Sequence, residues 1–139
     1  MKPQILLDTG VLVVLLSKAD RYHQWATATV TTANPPLLTC EAVITEACFL
    51  LQRDSRSQQT VLSLVSRGAI QIDFCLSEEV NAIEALIDRY KNVPMSIADG
   101  CLVRMAELYP ESTVLTLDSD FRVYRKHRNQ EILVMMPSN

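Results

Sequence analysis

The sequence predicts an α/β fold in which a short parallel sheet is covered by helices on both faces. Short apolar runs of β-type residues alternate with longer segments of helical character, and no repeat, low-complexity tract or linker divides the 139 residues. Alternation at this spacing is typical of parallel strands joined by helices. A chain of this length fits one domain, so we expect residues 1–139 to form a single domain.

Start and stop residues divide the chain into elements. The segments with strand character are residues 4–8, 37–39, 70–74, 113–117 and 132–135. Asp20 is expected to cap a helix that ends at Ala33, before a proline pair, and Ser55 or Ser57 to open a helix that Gly68 closes. Two further helices are expected over residues 77–92 and 96–109.

Composition argues against several classes of protein. Hydrophobic residues make up 48% and charged residues 21% of the chain, so disorder is not expected. Three glycines cannot build a dinucleotide fingerprint or a phosphate-binding loop. Two histidines argue against a zinc enzyme with several histidine ligands.

The cysteines and the apolar N-terminal segment indicate the cell compartment. The four cysteines contain no CxxC pair, so free thiols and a reducing cytoplasm are expected. Asp8 interrupts the apolar residues 5–16, and no stretch reaches the roughly 18 apolar residues of a membrane span. We therefore expect a cytoplasmic protein with no membrane partner.

Two of the predicted helices carry a carboxylate among apolar residues. Over residues 42–51 only Thr45 and Glu46 are polar, so we expect this helix to be largely buried. Asp99 has similarly apolar neighbours at helical spacing in the last helix. Because an ionised carboxylate is costly to bury without a partner, both acids are candidate site residues.

Strand ends supply the remaining acids. Asp8 ends the first predicted strand, while Asp118 and Asp120 follow the fourth. In an open parallel sheet the functional crevice lies outside the carboxyl ends of the strands, where the following helices also begin. We therefore expect Asp8, Glu46, Asp99, Asp118 and Asp120 to converge on one edge of the sheet. Mg²⁺ or Mn²⁺ would relieve their mutual repulsion and would suit phosphoryl chemistry.

Each acid also has a structural interpretation. Asp8 can cap the helix that follows it, Asp99 can complete a capping box with Ser96, and Asp118 can belong to an ordinary turn. Glu46 can be a solvated helix residue. On these local grounds the structural and functional interpretations remain open, and the joint placement favours a site.

Three enzyme classes share part of the pattern and fit it less well. The triplet Asp8-Thr9-Gly10 matches aspartic proteases, but those are all-β proteins with glycine-rich flaps. A phosphoacceptor receiver domain would need an acidic pair after the first strand and a lysine at the last. A haloacid-dehalogenase-type phosphatase would need aspartate where Gly10 stands.

The whole pattern resembles the PIN-domain nuclease family, in particular the VapC-type ribonuclease toxins of bacterial toxin–antitoxin pairs. The matching pieces are Ile5-Leu6-Leu7-Asp8-Thr9, Thr45-Glu46, Pro94-Met95-Ser96-Ile97-Ala98-Asp99 and Leu115-Thr116-Leu117-Asp118-Ser119-Asp120-Phe121. The resemblance implies a PIN-like three-layer sandwich and a Mg²⁺- or Mn²⁺-dependent endoribonuclease that cleaves single-stranded RNA. It also implies a small antitoxin protein as partner and a homodimer.

The resemblance carries roles over to individual residues. Asp8, Glu46, Asp99 and Asp118 would form the catalytic acidic quartet, with Asp120 as an auxiliary acid. Asp8, Asp99 and Asp118 would be the metal ligands. Thr9 or Thr116 would support the carboxylates through hydrogen bonds.

One position departs from the family pattern. The family usually carries serine or asparagine two residues after the first aspartate, where this chain has Gly10. The alternative function is therefore a catalytically weak PIN-like module that binds RNA or a protein partner.

A basic segment follows the last acids, although the net charge of the chain is −3. Arg122, Arg125 and Lys126 are candidate phosphate contacts, and Phe121 and Tyr124 are candidates for stacking on bases. A solvated charged loop is the alternative interpretation.

Overall fold

The computed structural model describes residues 3–138. Five short parallel strands form one sheet, in chain order β1 (Ile5–Leu7), β2 (Leu37–Thr39), β3 (Ile70–Ile72), β4 (Thr113–Leu115) and, last, β7 (Val134–Met135). A separate antiparallel hairpin pairs β5 (Arg125–Lys126) with β6 (Gln130–Glu131). The helices are α1 (Thr9–Leu15), α2 (His23–Thr32), α3 (Glu41–Leu50), α4 (Ser55–Ser66), α5 (Leu76–Arg89) and α6 (Ile97–Leu108). This sheet flanked by helices confirms the predicted α/β sandwich.

The order of the strands is β3-β2-β1-β4-β7. The chain leaves β1 toward β2 and β3 on one side of the sheet and returns to β4 on the other side. Leu6 of β1 is in register with Leu38 of β2 and with Val114 of β4. The sheet therefore has its topological switch point at the central strand, where a functional crevice is expected in folds of this kind.

The core lies around the two central strands. Leu6 and Leu7 of β1 and Val114 and Leu115 of β4 are completely buried, as short strands covered on both faces must be. Helix α6 contributes seven buried residues and packs on both strands. The two strand ends and the start of α6 are thus fixed to one rigid core.

Two helix boundaries illustrate how local residues determine the elements. Helix α4 ends two residues before Gly68, whose φ of +83° closes the helix as predicted. Helix α2 begins at His23 rather than directly after Asp20, because Asp20 accepts a hydrogen bond from the Tyr22 amide and forms a turn instead of a cap.

The prediction that the third helix is largely buried was wrong. Val43 and Ala47 of α3 are buried, but Phe49 is 63% and Leu50 is 59% exposed. The helix packs on α1, α4 and α6 along one side and leaves the other open. Helix α3 is therefore buried on one side only, although nearly all of its residues are apolar.

All four cysteines are free thiols, of which Cys40 and Cys101 are buried and Cys75 is exposed. Within residues 3–138 no helix is long and apolar enough to cross a membrane.

Candidate active site

The carboxyl ends of β1 and β4 are joined by hydrogen bonds through Thr116. The Thr116 hydroxyl donates to Asp8 Oδ2 at 2.6 Å and accepts from the Asp118 amide at 2.9 Å. Thr116 is completely buried; its bond to Asp8 is also buried, and its bond to the Asp118 amide is partly buried. One side chain therefore fixes the position of two acids that are more than a hundred residues apart in the chain.

Asp8 is a buried carboxylate held at the N-terminus of a helix. Its Oδ1 accepts the Thr9 amide at 2.8 Å, which makes it the N-cap of α1, and only 5% of the residue is exposed. Burial raises the pKa of Asp8 from 3.8 to about 6, against the two hydrogen bonds, which lower it. The nearby charges of Asp99 and Asp118 raise it further. The ionised form of Asp8 is therefore unfavourable here, because its two hydrogen bonds do not offset the effects of burial and of the neighbouring acids.

Asp99 combines the capping and the cluster interpretations. Ser96 caps α6 by accepting the Asp99 amide at 3.0 Å, and Asp99 Oδ2 accepts the Ser96 amide at 3.2 Å in return. Burial raises the pKa of Asp99, and the charges of Asp118 and Glu46 contribute in the same direction. The capping box thus fixes a carboxylate that still interacts with the other acids.

The acids line one open cleft of about 420 Å³. Its lining comprises Asp8, Thr9, Gly10, Glu46, Leu50, Asp99, Leu117 and Asp118. Glu46 reaches the cleft from the half-buried side of α3. Asp120 does not line it, because it lies in the 3₁₀ turn Ser119–Arg122, in which its amide donates to Asp118 Oδ1 at 2.9 Å. The structure therefore brings four of the five predicted acids together and sets the fifth one turn away.

The chemistry of the cleft suits a hydrated divalent cation. Among residues 3–138 no three acidic, histidine or cysteine side chains are close enough to enclose an ion as they stand. Mg²⁺ usually keeps several waters and uses only one or two carboxylates directly. The Thr9 hydroxyl is buried in the lining without a hydrogen-bond partner in the described chain, so a polar group remains for such a water. In the described chain, Thr9 forms a hydrogen bond with Asp8 through its amide and not through its hydroxyl.

Gly10 lies in the first turn of α1 and in the lining of the cleft. A Cβ atom at this position would meet only Leu117, at 3.8 Å, which is an ordinary van der Waals contact. Neither space nor backbone conformation therefore requires glycine here.

The aromatic residues predicted to stack on bases do not do so. Phe121 and Tyr124 are both completely buried, and their rings meet edge to face with centroids 5.3 Å apart. Phe121 lies in the 3₁₀ turn Ser119–Arg122 and Tyr124 follows it three residues later, and both side chains are buried. The spacing of three residues between the two aromatic side chains could have indicated that they share a buried side. The charged residues around them favoured an exposed segment instead.

The basic segment is also less available than predicted. Arg122 is exposed, whereas the Arg125 guanidinium donates to the carbonyl oxygens of Arg122, Val123 and Tyr124. Lys126 is only 9% exposed because β5 packs against α6. Arg122 is thus the best exposed of the three predicted phosphate contacts, and the expectation for Lys126 is not supported.

Fold and site together define an α/β protein with an acidic cleft at the switch point of a parallel sheet. The sequence profile of the PIN domain family matches residues 5–127, and the chain belongs to that family. The resemblance inferred from the motifs is therefore confirmed.

Individual relatives agree with this assignment. Ribonuclease VapC26 of Mycobacterium tuberculosis is 23% identical over 116 residues, which cover 82% of this chain and 86% of the relative. The crystal structure of VapC20 of M. tuberculosis, described as a toxin that cleaves the sarcin-ricin loop, matches with a TM-score of 0.75 at 20% identity, covering 86% of this chain and 94% of that chain.

Two toxin–antitoxin structures share the same fold. The DNA-bound VapBC complex of Salmonella typhimurium matches with a TM-score of 0.61 at 16% identity over 97% of this chain and 98% of that chain. VapBC2 of Rickettsia felis, bound to a DNA fragment of its promoter, matches with a TM-score of 0.61 at 14% identity, over 96% and 98%.

Proposed function

We propose that the protein is a Mg²⁺- or Mn²⁺-dependent endoribonuclease that cleaves single-stranded RNA, and that it is the toxin of a toxin–antitoxin pair. The observation that carries the proposal is the cleft in which Asp8, Glu46, Asp99 and Asp118 meet at the carboxyl edge of the sheet. Membership of the PIN domain family and the similarity to a VapC ribonuclease support it.

The proposed reaction is hydrolysis of a phosphodiester. Water attacks the phosphorus, the bond from phosphorus to the 3′ oxygen breaks, and the fragments carry a 5′-phosphate and a 3′-hydroxyl. A divalent ion held by Asp8, Asp99 and Asp118 would neutralise phosphate charge and lower the pKa of water. Glu46 is available to accept the proton of the attacking water, and Asp120 is proposed to orient groups at the edge of the cleft.

The chain's own hydrogen bonds prepare the acids for this role. Thr116 and the Thr9 amide fix Asp8, while Ser96 fixes Asp99, so neither carboxylate must be ordered when an ion binds. Preorganisation of this kind reduces the entropic cost of binding. Arg122, exposed directly after the acids, is the proposed phosphate contact on the RNA side.

An antitoxin partner is supported by the VapBC complexes that share the fold. Consecutive helices α3 and α4 expose large apolar side chains, with Phe49 at 63%, Leu50 at 59% and Leu62 at 57%. Exposed apolar residues mark protein interfaces where they form a continuous patch, and Phe49 and Leu50 are consecutive in α3. We propose that they contact a small antitoxin protein, and that the toxin itself is a cytoplasmic homodimer.

The proposal is tested with purified protein and a single-stranded RNA. Mg²⁺ or Mn²⁺ should permit cleavage, and EDTA should abolish it. Asp8→Asn should be inactive, since it removes a buried ligand charge while retaining the shape. The matched control is Asp54→Asn, which changes the N-cap of α4 outside the cleft and should cleave normally. Cleavage by Asp8→Asn protein from the same purification would exclude this site.

A second candidate is a PIN-like module that binds RNA or protein without efficient cleavage. Two observations favour it: among residues 3–138 no three acidic, histidine or cysteine side chains are close enough to enclose an ion, and position 10 is glycine. It predicts RNA binding that saturates with no cleavage in either metal, so the same experiment separates the two functions.

A further inference from the structure

We infer that Tyr124 is a positioning residue for Asp99, holding one carboxylate oxygen so that the other remains available to a cation. This inference rests on the proposed metal site in the cleft. Tyr124 was a candidate for stacking on RNA bases. Because it is buried, that role does not apply to it.

Tyr124 joins the interior of the protein to the edge of the acidic cleft. The residue is completely buried, yet its hydroxyl lies 2.8 Å from the Pro94 carbonyl oxygen and 3.3 Å from Asp99 Oδ2. A tyrosine hydroxyl has a single proton, which the two acceptors share in a three-centre hydrogen bond whose shorter arm goes to Pro94 and whose longer arm goes to Asp99. The hydroxyl therefore connects the loop before α6 with a carboxylate in its first turn.

The ring of Tyr124 is held firmly from two sides. It packs edge to face against Phe121 at 5.3 Å and against Tyr90 at 5.1 Å between centroids. Its amide donates to the Asp120 carbonyl at 3.0 Å, within the turn that Asp118 opens. The position of the hydroxyl is thus set by the same turn that positions Asp118.

Both donors to Asp99 reach the same oxygen. Oδ2 accepts from the Ser96 amide at 3.2 Å and, as the longer arm of the shared Tyr124 bond, from the Tyr124 hydroxyl at 3.3 Å, whereas Oδ1 has no hydrogen-bond donor among residues 3–138. Two donors on one oxygen fix the rotation of the carboxylate. Oδ1 therefore stays free to bind a cation. Hydrogen bonds from neighbouring residues commonly orient metal-binding carboxylates in this way.

Tyr124→Phe removes the hydroxyl oxygen and keeps the packed ring. Tyr90→Phe is the matched control, because Tyr90 belongs to the same aromatic cluster but its hydroxyl accepts from the Arg125 amide at 2.8 Å and contacts no acid. Mn²⁺ affinity is measured at fixed pH by the electron paramagnetic resonance signal of free Mn²⁺. We expect Tyr124→Phe to weaken it by about tenfold or more, and Tyr90→Phe by less than about twofold.

A double-mutant cycle with Asp99→Asn separates positioning from general stability. In the Asp99→Asn background, Tyr124→Phe should change Mn²⁺ affinity no further. An equal loss in both backgrounds, or no loss with Asp99 intact, would overturn the inference.

Two measurements keep the inference testable if RNA is not cleaved or if a variant folds poorly. In EDTA, the effects of Tyr124→Phe and Asp99→Asn on the equilibrium constant of unfolding should be non-additive by about threefold or more. This measurement needs neither metal nor RNA, and additive effects would refute the contact. Wild-type protein with 3-fluorotyrosine at its four tyrosines should show a larger Mg²⁺-dependent ¹⁹F shift at Tyr124 than at Tyr90. A larger shift at Tyr90 would contradict the proposed role.

Discussion

Replacing Asp8 by asparagine should stabilise the metal-free protein at alkaline pH, although it destroys the proposed site. The pKa of Asp8 is raised by burial from 3.8 to about 6. At about 1.4 kcal/mol per pKa unit, this costs the ionised folded protein about 3 kcal/mol. Asparagine avoids that cost, but it disrupts the bond in which the Thr116 hydroxyl donates, worth about 1 kcal/mol. The expected net gain in the free energy of unfolding is about 2 kcal/mol at pH 8.

The pH dependence gives the sign of the effect. Because the folded pKa lies above the unfolded value, the contribution of Asp8 to stability is complete below pH 4 and is lost as the pH rises through about 6. The advantage of Asp8→Asn should therefore fall from about 2 kcal/mol at pH 8 to near zero at pH 4.5. For a chain of 139 residues, 2 kcal/mol corresponds to a rise in Tm of about 8 °C.

The assay is thermal and urea unfolding in EDTA across this pH range. Asp54→Asn is the matched control, since Asp54 also caps a helix but is exposed, and its hydrogen bonds with Ser57 and Arg56 lower its pKa. Its contribution is present above the unfolded pKa and is lost on acidification, so this variant should show the opposite pH trend. An Asp8→Asn protein that is less stable than wild type at pH 8 would refute the argument that the buried charge is uncompensated.

Three further results are expected. Gly10→Ala should raise the free energy of unfolding by about 0.5–1 kcal/mol in urea, because the new Cβ meets only ordinary contacts with Leu117; a loss of stability would show that the backbone needs glycine. Arg122→Gln should reduce the log–log salt slope of RNA binding by about 0.7, whereas Lys126→Gln should leave it unchanged because that side chain is buried; equal slopes for wild type and Arg122→Gln would exclude the contact. Saturating Mg²⁺ should raise the Tm of wild type but not of Asp99→Asn; an intact Mg²⁺ response in the variant would move the ion elsewhere.

The fold was predictable because its signals are local. The Ser96 capping box, the glycine that ends α4 and the apolar strands each depend on a few neighbouring residues, and the structure contains them. Other predicted caps were wrong: Asp20 forms a turn, and Asp54 caps α4 in place of Ser55 or Ser57. The convergence of Asp8 and Asp118 followed from the rule for strand ends. The bridging role of Thr116 depends on atomic distances that only the structure supplies.

The errors concern which side of an element meets the core. The exposure of Phe49 on α3 depends on what packs beside the helix, and no local pattern encodes that. The hairpin of β5 and β6 turns through His127, Arg128 and Asn129, and the positive φ falls on His127 and Arg128 instead of on the asparagine. Tyr124 is buried inside a charged segment because its ring packs against Tyr90 and Phe121.

The location of a bound ion decides whether the acidic cleft is a metal site. Substoichiometric Mn²⁺ added to ¹⁵N-labelled protein broadens the amide signals nearest to the ion. We expect the amides of Thr9, Asp99 and Asp118 to broaden first, because these residues line the acidic cleft at the switch point of the sheet. Earlier broadening at Glu78, Glu84 and Asp88, the exposed acids of α5, would contradict this expectation, since the ion would then bind away from the proposed active site.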